Sequence, residues 1–105
     1  MASYKAHFKT ALGQREIVLD TKVATDLVVG QLCKYASGSL SASTSATPVA
    51  GDYIIAQSDM SMEYGHIPVE NRDYRYNPKV AASTTNKKVA VFAVTDVSDV
   101  YTTEI

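Results

Sequence analysis

Few side chains in this 105-residue sequence could do covalent or metal chemistry: one cysteine, Cys33, two histidines, His7 and His66, and the loop carboxylates Asp59 and Glu63. Cys33 would act as a nucleophile only with His7 or His66 beside it. Its setting, Leu32-Cys33-Lys34 within an apolar run, instead reads as a small buried hydrophobe, the usual state of a free thiol. One cysteine also excludes an intramolecular disulfide framework and a cysteine-based zinc cluster. The histidines show neither His-x-His nor His-Glu-x-x-His spacing. Asp59 and Glu63 lack the ladder of oxygen ligands and the glycine of a calcium loop. No glycine-rich phosphate loop, dinucleotide turn or Gly-x-Ser-x-Gly elbow is present. A small hydrolase using Asp59, Glu63 or His66 is therefore the weakest of the readings, and neither enzyme activity nor a cofactor or metal is expected.

The densest stretch is of another kind. Residues 62–78 hold Tyr64, Tyr74 and Tyr76 with Arg72 and Arg75, interleaved with Glu63, Glu70 and Asp73. Tyrosine and arginine are favoured where proteins meet, because each offers rigid area together with hydrogen bonds. Basic and aromatic residues in alternation could also stack single-stranded nucleic acid, but the neighbouring acids would repel phosphates. A formal net charge of −1 supplies no basic excess either, so no nucleic-acid partner is expected. The bland alternative is that these tyrosines rim a barrel while the charges pair locally.

The elements that must position such residues are strands. Twelve Val, ten Thr and seven Tyr against five Leu favour a pleated surface over helices. No eleven-residue window keeps a capped helical apolar face. Strands are expected at residues 4–10, 15–20, 31–35, 52–58 and 89–96, with a short extended piece at 67–70 and a last strand within 99–103. Continuous apolar character in Val89-Ala90-Val91-Phe92-Ala93-Val94 marks a central strand buried on both faces. Gly30, inside an apolar run, marks a bend, a bulge or a close backbone approach. Residues 37–50, with five Ser, two Thr, one Gly, one Pro and no charge, read as a long exposed loop, and residues 81–88 as a polar, hairpin-like loop. A strand closing on aspartate recurs at 51–59 and 88–96, a common pattern that makes a weak repeat.

Hydrophobic residues at 46% and charged residues at 20% suit one globular domain at this length. Apolar runs of four or five residues cannot cross a bilayer, so no membrane partner is expected, and Met1-Ala2-Ser3-Tyr4-Lys5 leads into no signal-peptide core. The expected fold is all-β: a small β-barrel or β-sandwich of six to eight short strands over residues 13–105, preceded by an extended N-terminal arm at residues 1–12.

Three segments carry a family resemblance. Asp26-Leu27-Val28-Val29-Gly30-Gln31-Leu32-Cys33-Lys34-Tyr35, with its glycine before a hydrophobic strand, leads into the Ser/Ala/Thr-rich loop and Ala50-Gly51-Asp52-Tyr53-Ile54-Ile55-Ala56-Gln57-Ser58-Asp59. Lys88-Val89-Ala90-Val91-Phe92-Ala93-Val94-Thr95-Asp96 completes the set, about half of the chain. Together they resemble the small decoration, or cement, proteins that coat tailed-bacteriophage capsids. The resemblance implies a compact β domain with an extended terminal arm, made in the host cytoplasm and carried on the virion surface. It implies binding to major capsid protein subunits at their junctions, as a homo-oligomer with a trimer favoured. An arm could clamp neighbours by adding a strand to a sheet edge. The candidate interface is then Tyr4, His7 and Phe8 of the arm with Tyr64, Arg72, Tyr74, Arg75 and Tyr76. Removing residues 1–12 should abolish attachment and leave the domain folded. The rival reading is a small ligand- or glycan-binding module that uses Tyr53, Tyr64, Tyr74 and Tyr76 as stacking platforms.

Overall fold

A computed structural model describes residues 2–10, 14–59 and 79–105. The chain is mainly β, with nine strands among the described residues: β1 (Tyr4–Phe8), β2 (Glu16–Val23), β3 (Leu27–Val28), β4 (Leu32–Ala36), β5 (Ser39–Ala42), β6 (Tyr53–Ile55), β7 (Lys79–Val80), β8 (Ser83–Ala93) and β9 (Val100–Glu104). The expected fold class holds. Five strands neighbour one another in the order β2-β5-β4-β6-β8 and back to β2. The link that closes this ring is slight. β2 and β5 run parallel and pair only at Lys22–Ser39 and Val23–Leu40, whereas β2 and β8 pair along most of the length of β2. The sheet is thus a curled one whose edges touch at a corner, open along the rest of its rim. β3 pairs with β7, and β1 pairs with β9, each as a separate two-stranded sheet.

The pleat sorts the apolar side chains into two clusters. Register places Cys33, Tyr53, Ile55 and Val91 on the concave face, where they pack with Val23, Leu27, Leu40, Val80 and Val89. One residue over, Leu32, Ile54 and Phe92 share the convex face and pack with Ala6, Val94 and Val100 of the overlying β1–β9 sheet and its approach. β8 therefore buries Val89, Ala90 and Val91 consecutively, the two-sided burial its sequence predicts. β2, with one buried face, alternates instead: Glu16, Val18, Asp20 and Lys22 point outward.

Three expectations need correction. Residues 4–8 are not an arm free to reach a neighbour. They pair with β9 from Tyr4–Glu104 to Phe8–Val100, Ala6 is 6% exposed, and the Ala6 N–H donates to the Gly30 carbonyl at 2.9 Å. Excising residues 1–12 would strip one wall from the convex cluster, so the deletion should disturb the domain it was expected to leave folded. The Ser-rich stretch is not all loop, because Ser39–Ala42 form β5 with Leu40 fully buried. Ser37 and Gly38, at φ 54° and 74°, make the two-residue turn that sets Ala36 opposite Ser39. Positive φ at both central positions matches the right-handed strand twist. One buried leucine, with Ala42 packed beside it, suffices to seat a strand whose other side chains are serines; residues 44–47 and 49–51 remain exposed. Finally, residues 83–88 are the first half of β8 rather than a loop. Most of their polar side chains face solvent, the backbone meets β2 at Ser83, Lys87 and Lys88 with the register shifting across residues 84–86, and Asp20 stands opposite Lys88. Gly30, at φ 90°, is the tight bend between β3 and β4, closed by the Gln31 N–H donating to the Val28 carbonyl at 3.1 Å.

Candidate interface

The β1–β9 sheet has one face in the core and one in solvent. Ala6, Phe8 and Val100 turn inward. Lys5, His7, Tyr101 and Thr103 lie on the opposite face, paired Lys5–Thr103 and His7–Tyr101. The His7 and Tyr101 rings stack, with centroids 5.0 Å apart and planes 24° from parallel. His7 Nε2 lies 3.2 Å from Thr103 Oγ1, with the donor set by the ring tautomer. Tyr101 remains 49% exposed, the largest open aromatic surface among the described residues. Below this face the chain is anchored: the Asp99 carboxylate accepts from the Thr10 N–H at 3.0 Å, the Thr10 hydroxyl and Gln14 Nε2. The result is a rigidly mounted patch with an aromatic pair at its centre and a hydroxyl and an ammonium beside it.

The candidate residues read from sequence divide accordingly. His7 is on the outer face, whereas Phe8 packs edge-on against Phe92 at 5.8 Å and serves the core. Tyr4 shares the inward side of β1 and is half-buried opposite Glu104. Tyr64, Arg72, Tyr74, Arg75 and Tyr76, together with Glu63 and His66, lie outside the described residues. Sequence reasoning placed a strand at 99–103 but did not single out Tyr101 or Thr103. The signal was present in Val100-Tyr101-Thr102-Thr103, where alternation puts the tyrosine opposite the buried valine.

Two carboxylates tie down the described residues that follow 60–78, one from the preceding flank and one from the approach to β3. Asp59 Oδ2 accepts from the Ala81 N–H and Lys87 Nζ, each at 2.8 Å. Asp26 accepts from the Ala82 N–H at 2.9 Å and from Lys79 Nζ at 3.2 Å. The Ala82 N–H, followed by Lys79, holds the Asp26 carboxyl below its ordinary range. Asp59 is thereby occupied as a structural acceptor.

Cys33 is fully buried, with Sγ 3.4 Å from the Gln31 carbonyl. Burial, with the negative charge of Asp52 adding to it, pushes the thiol up to about 12. A thiol that stays protonated at neutral pH is a poor nucleophile, and His7 lies on the solvent face of a different sheet. Asp52, itself buried, accepts from Lys34 Nζ and the Val49 N–H, both at 2.9 Å, and so closes the loop that leads into β6. Among the described residues no group of three or more His, Cys, Asp or Glu is placed to hold a metal ion. No helix among them is long and apolar enough to cross a membrane.

No protein-family model, curated protein or solved structure matches the chain.

Proposed function

We propose that this chain is a structural virion protein that binds the outside of a tailed-phage capsid and reinforces contacts between major capsid protein subunits. The observation that carries this reading is the outer face of the β1–β9 sheet, where His7 and Tyr101 stack in the open. It joins the resemblance of the strand segments to capsid decoration proteins. Adhesion of this sort needs a fixed, complementary surface repeated many times, and it needs no reacting group. Aromatic rings with polar tips serve such surfaces because their area is rigid before contact. The near-neutral net charge lets many copies sit side by side without mutual repulsion. In this reading the contact surface moves from a free arm to the docked sheet formed by that same segment and β9, and the copies act as a homo-oligomer on the shell.

The glycan-binding alternative drew on Tyr53 among the described residues. That ring packs against the concave cluster and lies 6.2 Å from Tyr35, which leaves less of its face for a sugar. Co-sedimentation with undecorated capsids of the phage that encodes the chain separates the two readings. The wild-type protein should pellet with the shells, and the double variant His7→Ala, Tyr101→Ala should lose affinity by about tenfold or more. A protein that stays in the supernatant at every concentration would remove the capsid reading.

A further inference from the structure

We propose that the free edge of β9 pairs with the same edge of a second copy of this chain, antiparallel, with Thr102 on the two-fold axis. The inference starts from the phase of the β1–β9 ladder and does not depend on the capsid reading. The Lys9 N–H donates to the Asp99 carbonyl at 2.6 Å and the Ile105 N–H to the Ser3 carbonyl at 2.9 Å. In an antiparallel pair, directly bonded positions alternate with unbonded ones. Bonding at 9–99 and 3–105 therefore fixes 7–101 and 5–103 as the bonded pairs between them, and turns the backbone groups of 100, 102 and 104 away from β1. The other strand obeys the same phase, since the Ala6 N–H, pointing away from β9, reaches the Gly30 carbonyl.

On the outer edge of β9 only the Val100 N–H is occupied, by the Val97 carbonyl of the preceding 3-10 turn. The N–H and C=O of Thr102 and of Glu104, and the Val100 C=O, have no backbone partner among the described residues. Such a row of donors and acceptors is a template for an added strand.

The sequence of the edge selects its own copy. With Thr102 facing Thr102, Tyr101 stands opposite Thr103 and Val100 opposite Glu104 of the second chain. Thr–Thr and aromatic–β-branched pairs are favourable across strands, and this register sets no like charges face to face. A shift that centred Glu104 would oppose two carboxylates. Two bonds form between the Thr102 groups on the axis, and each Glu104 N–H finds a Val100 carbonyl; the Val100 N–H already has its partner. The product is a four-stranded sheet, β1-β9-β9-β1, in place of two isolated pairs, which are marginal by themselves. It is an isologous interface of the commonest symmetry. It also leaves the His7–Tyr101 faces of both copies on one continuous, open surface.

Sedimentation equilibrium on the full chain tests this. The mass should rise with concentration from that of one 11.3 kDa chain to that of two. Thr102→Pro deletes the outward N–H together with the hydroxyl, at an edge position where proline is tolerated, so association should weaken by about tenfold or more with folding retained. Thr102→Val removes the hydroxyl that donates to the Ala46 carbonyl at 2.7 Å but keeps the N–H, and should associate like the wild type. As a readout that needs no variant, the Thr102 and Glu104 amides should exchange more slowly in concentrated than in dilute solution. A single-chain mass throughout, a mass of three chains indifferent to Thr102→Pro, or concentration-independent exchange at both amides would each overturn the proposal. So would a monomeric protein that needs the Thr102 N–H to bind capsids, which would give this edge to a foreign strand.

Discussion

β8 and β9 both carry valine, threonine and an aromatic residue but are put to different use. β8 has a neighbour on each side, β2 and β6, and lies between two apolar layers, the concave cluster and the β1–β9 sheet. β9 has one neighbour and one covered face. The first strand can change little without disturbing two layers at once. The second needs only Val100 and the ladder to β1 to stay in place, so Tyr101 and Thr103 are free of packing duty. The curled sheet thus supplies stability and the overlying pair supplies surface. The pair is nevertheless integral to the fold, since it covers Leu32, Ile54 and Phe92.

The sharpest way to break this comparison is to remove residues 1–9. That deletion takes away Ala6 and Phe8, opens the ladder along β9 and exposes the convex cluster. The loss is of the order of the roughly 5–15 kcal/mol by which domains are stable, so the truncated chain should show no cooperative unfolding transition in urea. Retention of the wild-type transition would make β1 a detachable arm after all. A finer test sets Leu40→Ala against Phe8→Ala. Leu40 is fully buried in the concave cluster, and its truncation should cost about 3–4 kcal/mol. Phe8 is half-buried at the margin of the convex cluster, and its loss should cost about 2 kcal/mol by the same denaturant measurement. Equal costs would mean that the two layers share the stabilisation evenly.

How far these roles could be read from sequence depends on what each residue type reports. β8 was legible from Val89 onward because burial on both faces leaves an unbroken apolar run. Its polar half, from Ser83 to Lys88, was not legible: it meets β2 only at Ser83, Lys87 and Lys88 across a register shift, and Thr84, Thr85 and Asn86 stay in water, a composition shared with loops. β5 was hidden for a related reason, since one leucine among serines carries its burial and the Ser37–Gly38 turn is a quiet signal. The strand character of residues 4–8 was plain, but its partner was not. Alternation tells which side chains share a face, never which of several edges at large sequence separation will receive the strand. On the outer face of β1–β9, His7 was among the sequence candidates because it lies in the segment read as an arm, and Tyr101 was not, because its face is decided by the register with β1. The inert state of Cys33 followed from its apolar neighbours alone.

The smallest expected effect is the most informative about the division of labour. If the outer face of β1–β9 is surface and not scaffold, His7→Ala and Tyr101→Ala should each change stability by less than about 1 kcal/mol, the range of an exposed cross-strand pair. Their stacked geometry predicts that the two changes are not additive: a double-mutant cycle should return a coupling of about 0.5 kcal/mol. The Thr103 hydroxyl near His7 Nε2 gives an internal control, because Thr103→Val should cost no more than either ring. Costs of several kcal/mol at these positions would mean that the rings hold β1 against β9. In that case the face would be part of the scaffold, and a loss of partner binding on substitution would report unfolding instead of contact. Small costs with a measurable coupling leave the ring pair as a rigid unit of the surface that the fold does not need, so that a loss of binding on substitution would report contact.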